Sequence, residues 1–145
     1  MNDLERRVRA HIIHRLWDNH PAPDAATISA TLGVSRDAVV AALRALADTH
    51  RLALFPGSDK VWMAHPFSAV ATDFVVRSAE RQWYANCVWD GLAILGFVGD
   101  GVLETHTPQW NDLVHFHVVD GRVRGDGIVH FLVPAHRFWD DIGFT

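Results

Sequence analysis

Between Trp83 and Gly96 the chain reads WYANCVWDGLAILG, which is apolar on nearly every side of a helix. A surface helix keeps a polar face towards water, and one without such a face must be covered by the rest of the chain. The segment is therefore expected to be a buried helix, with the remaining elements packed around it. A length of 145 residues supplies that cover within one domain, or one small domain fused to another. No run approaches the ~18 consecutive apolar residues of a membrane span, so the cover is expected to be protein rather than lipid. An apolar share of 49% argues against disorder.

Strands are expected around that helix. Thr72–Arg77, Val102–His106, Leu113–Val119 and Ile128–Val133 read as strands, with Asp120-Gly121 as a hairpin turn. Phe138–Ile142 reads as a short helical turn. The preceding half differs. Leu4, Val8, Ile12, Leu16 and Trp17 recur at helical spacing, and Pro21-Ala-Pro23 ends that helix. A short second helix runs over Ala26–Leu32, Gly33 turns the chain, and Ser35 caps a third helix carrying Val39, Val40, Leu43, Leu46 and Ala47 on one side. Leu52–Leu54 and Val61–Met63 flank a Pro56–Asp59 turn and read as a small hairpin. The expected fold is α+β: an N-terminal winged-helix-like three-helix module, then a small mixed or antiparallel sheet packed on a buried helix.

Charge divides the chain at the same place. Residues 1–63 hold eight Lys/Arg and seven Asp/Glu, whereas residues 64–145 hold five and ten. A boundary near His65-Pro66 follows, giving units 1–63 and 64–145. The overall net charge of −4 argues against a general nucleic-acid binder. The exposed positions expected on the third helix are Arg36, Asp37, Ala38, Ala41, Ala42 and Arg44. Three alanines and an acid make a poor surface for reading base edges. DNA is therefore not the expected partner, nor is a membrane. The N-terminus MNDLERRVRAHIIHRLWDNH lacks the apolar core and cleavage site of a signal peptide, so a cytoplasmic protein is expected.

The chain has one cysteine, which excludes an internal disulfide and a multi-cysteine zinc site. Asp90 follows Cys87 by three residues, and on a helix such positions share a face with Cβ atoms ~5–6 Å apart. A helix N-terminus favours a thiolate, while a carboxyl among Tyr84, Trp89 and Leu92 is poorly solvated and suited to carrying a proton. The pair fits a nucleophile or soft-metal ligand beside a proton donor. Taken alone, a lone cysteine on an apolar helix is more often a small buried hydrophobe beside a structural acid.

Four blocks narrow that choice. HPFSAVATDFVV, RQWYANCVWDGLAI, ETHTP and DGIVHFLVPAHRFWDDIGFT together resemble the organomercurial lyase (alkylmercury lyase) family over about residues 64–145. The helical first half also fits that family's helical, winged-helix-like domain, less specifically. The resemblance implies protonolysis of a carbon–mercury bond, with Cys87 as the thiolate that takes mercury and Asp90 as the proton carrier. Both residues then serve as metal ligands, with Trp83, Tyr84 and Trp89 walling an apolar substrate pocket. It implies an organometallic or other apolar small-molecule substrate, no required cofactor, mercury ion as product or ligand, and cellular thiols as co-reactant.

Two departures stand out. The family's second catalytic cysteine follows its WDDI-type block, where this chain ends at Thr145, and a further cysteine is replaced by Thr107. The chain is thus expected to be divergent or C-terminally shortened, with lyase activity impaired. The alternative is a non-catalytic protein that binds or senses a soft metal or small ligand through Cys87.

The ten histidines add one more candidate. His115 and His117 alternate on one strand, with His106 and His130 on neighbouring ones. Together they suit a zinc or copper site, or they are surface and hydrogen-bonded strand histidines. His106, His115 and His117 are the additional metal candidates. His11, His14, His20 and His50 are expected to face solvent, and His65 to be a linker residue. Asp140 and Asp141 are expected to cap a helical turn.

Overall fold

The computed structural model describes residues 1–144. Helix α1 spans Asp3–Trp17 and starts in a capping box, in which the Asn2 side chain accepts from the Glu5 amide and the Glu5 carboxylate accepts from the Asn2 amide. Helix α2 (Ala25–Leu32) is capped by Asp24 and ends at Gly33, whose φ of +67° is the left-handed conformation that glycine adopts without strain. Ser35 caps α3 (Arg36–Asp48). Val8, Ile12 and Leu16 of α1 meet Ile28 of α2 and Val39, Leu43 and Leu46 of α3 in the core. Ala42, expected at the surface, is buried there as well.

A first antiparallel sheet follows in the order β1 (Ala53–Leu54), β2 (Val61–Ala64), β3 (Phe67–Ser68). His65 and Pro66, joined by a cis peptide bond, turn β2 into β3. The expected boundary therefore falls inside a paired sheet. A bridge between Phe67 and Ala85 links it to the second sheet.

That second sheet is antiparallel in the order β5-β4-β6-β7-β8. Its strands are β4 (Val75–Ser78), β5 (Arg81–Tyr84), β6 (Gly101–His106), β7 (Leu113–Val119) and β8 (Arg122–Arg124). Register sets Val76 beside Trp83 and Leu103, and Leu103 beside Phe116; all four are buried. Arg77, Glu104, His115 and His117 occupy the alternate positions, on the opposite face. Asp120 and Gly121, both at positive φ, form the expected β7–β8 turn.

Helix α4 (Val88–Val98) lies against β4 and β6 on the buried face. Ile94 and Leu95 are almost wholly enclosed, each worth roughly 1.5–3 kcal/mol of apolar burial. Trp89 and Phe97 are 66% and 70% exposed on the outer side, so the helix is covered on one face only. The fold class is α+β, as expected, and no single helix among the described residues is long and apolar enough to cross a membrane.

Three expectations need correction. The helix begins at Val88 rather than Trp83, because Arg81–Tyr84 pairs with β4 and alternates exposed Gln82 with buried Trp83. Ile128–Val133 forms no strand: it lies between Gly127 and Pro134, with Ile128 94% and Leu132 68% exposed and no sheet edge paired to it. The closing helical turn is a 3-10 segment over Ala135–Asp140.

Candidate functional site

The site forms where β5 hands over to α4. The Ala85 amide donates to Phe74 O at 2.9 Å, holding the chain against the sheet as it leaves the strand. Two residues later Cys87 is extended (φ −157°, ψ 179°) and occupies the N-cap of α4, its carbonyl accepting from the Gly91 amide at 3.0 Å. An N-cap side chain lies over the first free amides of its helix. The Cys87 sulfur makes no full capping bond. Burial pushes the Cys87 thiol up and the Asp90 carboxylate pushes it further, while the Asp90 and Trp89 amides pull it down. The helix terminus thus acts in the expected direction, but burial outweighs it and the proton stays on sulfur.

Asp90 sits in the first turn of α4 and is only 9% exposed. Its Oδ2 accepts from Asn86 Nδ2 at 2.7 Å and lies 3.1 Å from His65 Nδ1. Both bonds reach the same oxygen; Oδ1 takes no hydrogen bond among the described residues. His65 comes from the β2–β3 turn and is part of this cluster rather than a linker residue. Sequence reasoning missed it because its partner is 25 residues away, and it missed Asn86, whose i, i+4 spacing to Asp90 was the available signal.

The closing block folds over this region. Trp139 stacks on His50 (centroids 4.4 Å apart, 4° between planes) and meets His65 edge-on at 5.5 Å. His50 is therefore covered on one ring face. Asp140 pairs with Arg137 at 2.8 Å within the closing 3-10 turn, and Asp141 Oδ1 accepts from the Phe144 amide at 3.2 Å beyond it; neither bond is the side-chain cap expected of the turn.

The three expected pocket aromatics do not come together. Trp83 is buried on β5, donates from Nε1 to Trp17 O at 2.9 Å, and packs against the Trp17 ring. Tyr84 and Trp83 do line a cavity of about 260 Å³, together with Leu16, His20 and Phe67, but Cys87 and Asp90 are not in its wall. Trp89 is on the other side, with its ring against Phe131. Trp83 and Tyr84 stand on β5, whereas Trp89 stands on α4.

Of the two readings of the strand histidines, the metal site does not form among the described residues. Among the described residues, no three His, Cys, Asp or Glu side chains stand close enough to hold a metal ion. His115 and His117 are neighbours, with centroids 6.0 Å apart, but His106 sits opposite Leu113 at the far end of the ladder. His115 Nε2 instead lies 3.3 Å from Glu104 Oε2, and Arg77 bonds the other oxygen at 3.0 Å. The Arg77 guanidinium, with His115 adding less, holds the Glu104 carboxyl below its ordinary value. His130 lies outside any strand.

A sequence profile of the alkylmercury lyase family matches residues 67–144. Among solved structures, the fold resembles the crystal structure of the mercury-bound form of MerB2, with a TM-score of 0.68 at 14% identity. The likeness covers 86% of this chain and 60% of that one, so the chain spans about three-fifths of the length of that protein. No curated protein matches the sequence.

Proposed function

The chain belongs to the alkylmercury lyase family, and from that membership we propose that it cleaves carbon–mercury bonds by protonolysis at Cys87 and Asp90. The observation that carries this is the Cys87 N-cap with a buried Asp90 in the first turn that follows it, its Oδ2 pinned and its Oδ1 unbonded. Mercury attaches to the sulfur, and the S–H proton passes to Asp90 Oδ1. Asp90 delivers that proton to the carbon as the Hg–C bond breaks. One S–H and one Hg–C bond are exchanged for one S–Hg and one C–H bond. Two external thiols then take the mercury ion and restore the Cys87 thiol.

The raised Cys87 thiol suits this sequence. A proton kept on sulfur until mercury arrives is handed to the adjacent carboxylate instead of being lost to solvent. A soft thiol also selects a soft metal. We keep residues 1–63 as a winged-helix-like unit and residues 64–145 as the lyase-like unit. DNA binding is less favoured, because Arg36 is already paired with Asp59 at 2.9 Å.

A second reading is supported by the single cysteine: a protein that captures mercury at Cys87 without breaking the carbon bond. Incubation with an organomercurial and excess thiol separates the two. Release of the protonated hydrocarbon, lost in both Cys87→Ser and Asp90→Ala, supports the lyase. Stoichiometric mercury uptake without release supports the binder, and no uptake by the wild type removes both.

A further inference from the structure

We infer that His65 is a positioning residue that fixes the Asp90 carboxylate so that its proton-carrying oxygen is Oδ1; this rests on the lyase reading above. Asp90 Oδ2 receives the Asn86 amide at 2.7 Å and faces His65 Nδ1 at 3.1 Å. An oxygen that already accepts from an amide is a poor place for a proton, because a protonated oxygen accepts weakly. His65 Nδ1 is therefore the donor, and the imidazole is the Nδ1–H tautomer. Two donors on Oδ2 leave Oδ1 as the only site for a carried proton. They also stop the carboxylate from rotating about its Cβ–Cγ bond.

The surroundings hold His65 in place for this role. Its backbone is the β2–β3 turn, one ring edge meets Trp139, and its Nε2 is buried with no hydrogen-bond partner. A buried nitrogen without a partner is a cost to the fold, and the bond at Nδ1 is what sets against it. Around bound metals the same imidazole N–H to carboxylate contact orients the reactive ligand, and loss of such an outer contact costs about 10- to 100-fold in metal affinity or activity.

Two measurements on the full chain test this. The first is nitrogen NMR of the ring in ¹⁵N-histidine-labelled protein. Wild type is expected to show His65 with a protonated Nδ1 and a bare Nε2, and Asp90→Ala to lose that preference. A protonated Nε2 with a bare Nδ1 in wild type, or no change in Asp90→Ala, overturns the proposal whether or not the protein is a lyase. The second is single-turnover hydrocarbon release set against mercury-ion capture. His65→Leu is expected to slow release about 10- to 100-fold with capture unchanged. His65→Asn, which keeps an N–H at the Nδ1 position, is expected to recover most of the rate. Equal rates in wild type and a folded His65→Leu overturn the proposal. Absence of release from wild type overturns the lyase reading instead, and the NMR result then stands alone for His65 and Asp90.

Discussion

Asn86 Nδ2 donates to Asp90 Oδ2 over 2.7 Å, so the residue just before Cys87 restrains the acid three residues after it. The bond spans the N-cap position that Cys87 occupies. A buried carboxylate needs such donors, because an unpaired charge away from water is costly. Here they are spent on one oxygen, which leaves the other for chemistry.

Asp90→Asn keeps the shape and an acceptor oxygen but has no acidic proton to give. Hydrocarbon release is expected to fall by about 100-fold or more. Mercury-ion capture by Cys87 is expected to persist, read by titration of the bound metal.

Cys87 should titrate above a free cysteine, because burial raises its pKa. Its thiolate fraction at neutral pH is then lower, and its rate with an alkylating probe should keep rising above the pH at which a free thiol levels off. Asp90→Asn removes a negative charge that raises the pKa, so the midpoint should move down. A midpoint that moves up would show that the carboxylate does not act on the sulfur.

Gly91 lies against Leu103, where an added Cβ would stand 2.6 Å from Leu103 Cδ1. Leu103 is fully buried and has little room to yield. Gly91→Ala is expected to destabilise the protein by about 1–3 kcal/mol in denaturant melts.

Glu104 is ionised more readily in the folded state, chiefly through its Arg77 hydrogen bond. A lowered carboxylate pKa contributes stability above the unfolded-state value and loses it as pH falls through the folded one. Wild type should therefore exceed Glu104→Gln in stability at neutral pH. The gap should close as pH falls below the ordinary glutamate range, as read from melts across that range.

Much of the fold is legible in the sequence because local chemistry marks it. Asn2, Asp24 and Ser35 start helices, Gly33 ends one, and Asp120-Gly121 closes a hairpin, each through its own backbone preference. The β5 strand is less legible. Its Trp83 and Tyr84 run on into the apolar stretch of the helix that follows, and only pairing with β4 separates the two. Residues 128–133 carry apolar side chains, but a strand needs a partner edge and none is supplied. Cys87 and Asp90 share a helical turn and are visible as a local pair. His65 and Trp139 reach the site only through tertiary packing, which spacing along the chain does not encode.

The most direct measurement is the mass of the hydrocarbon released when the protein, an organomercurial and excess thiol are mixed in deuterated buffer. Protonolysis through Cys87 and Asp90 predicts a product carrying one deuterium from wild type and background amounts from Cys87→Ser and Asp90→Ala. Mercury bound at Cys87 with its carbon bond intact and no hydrocarbon formed would contradict it.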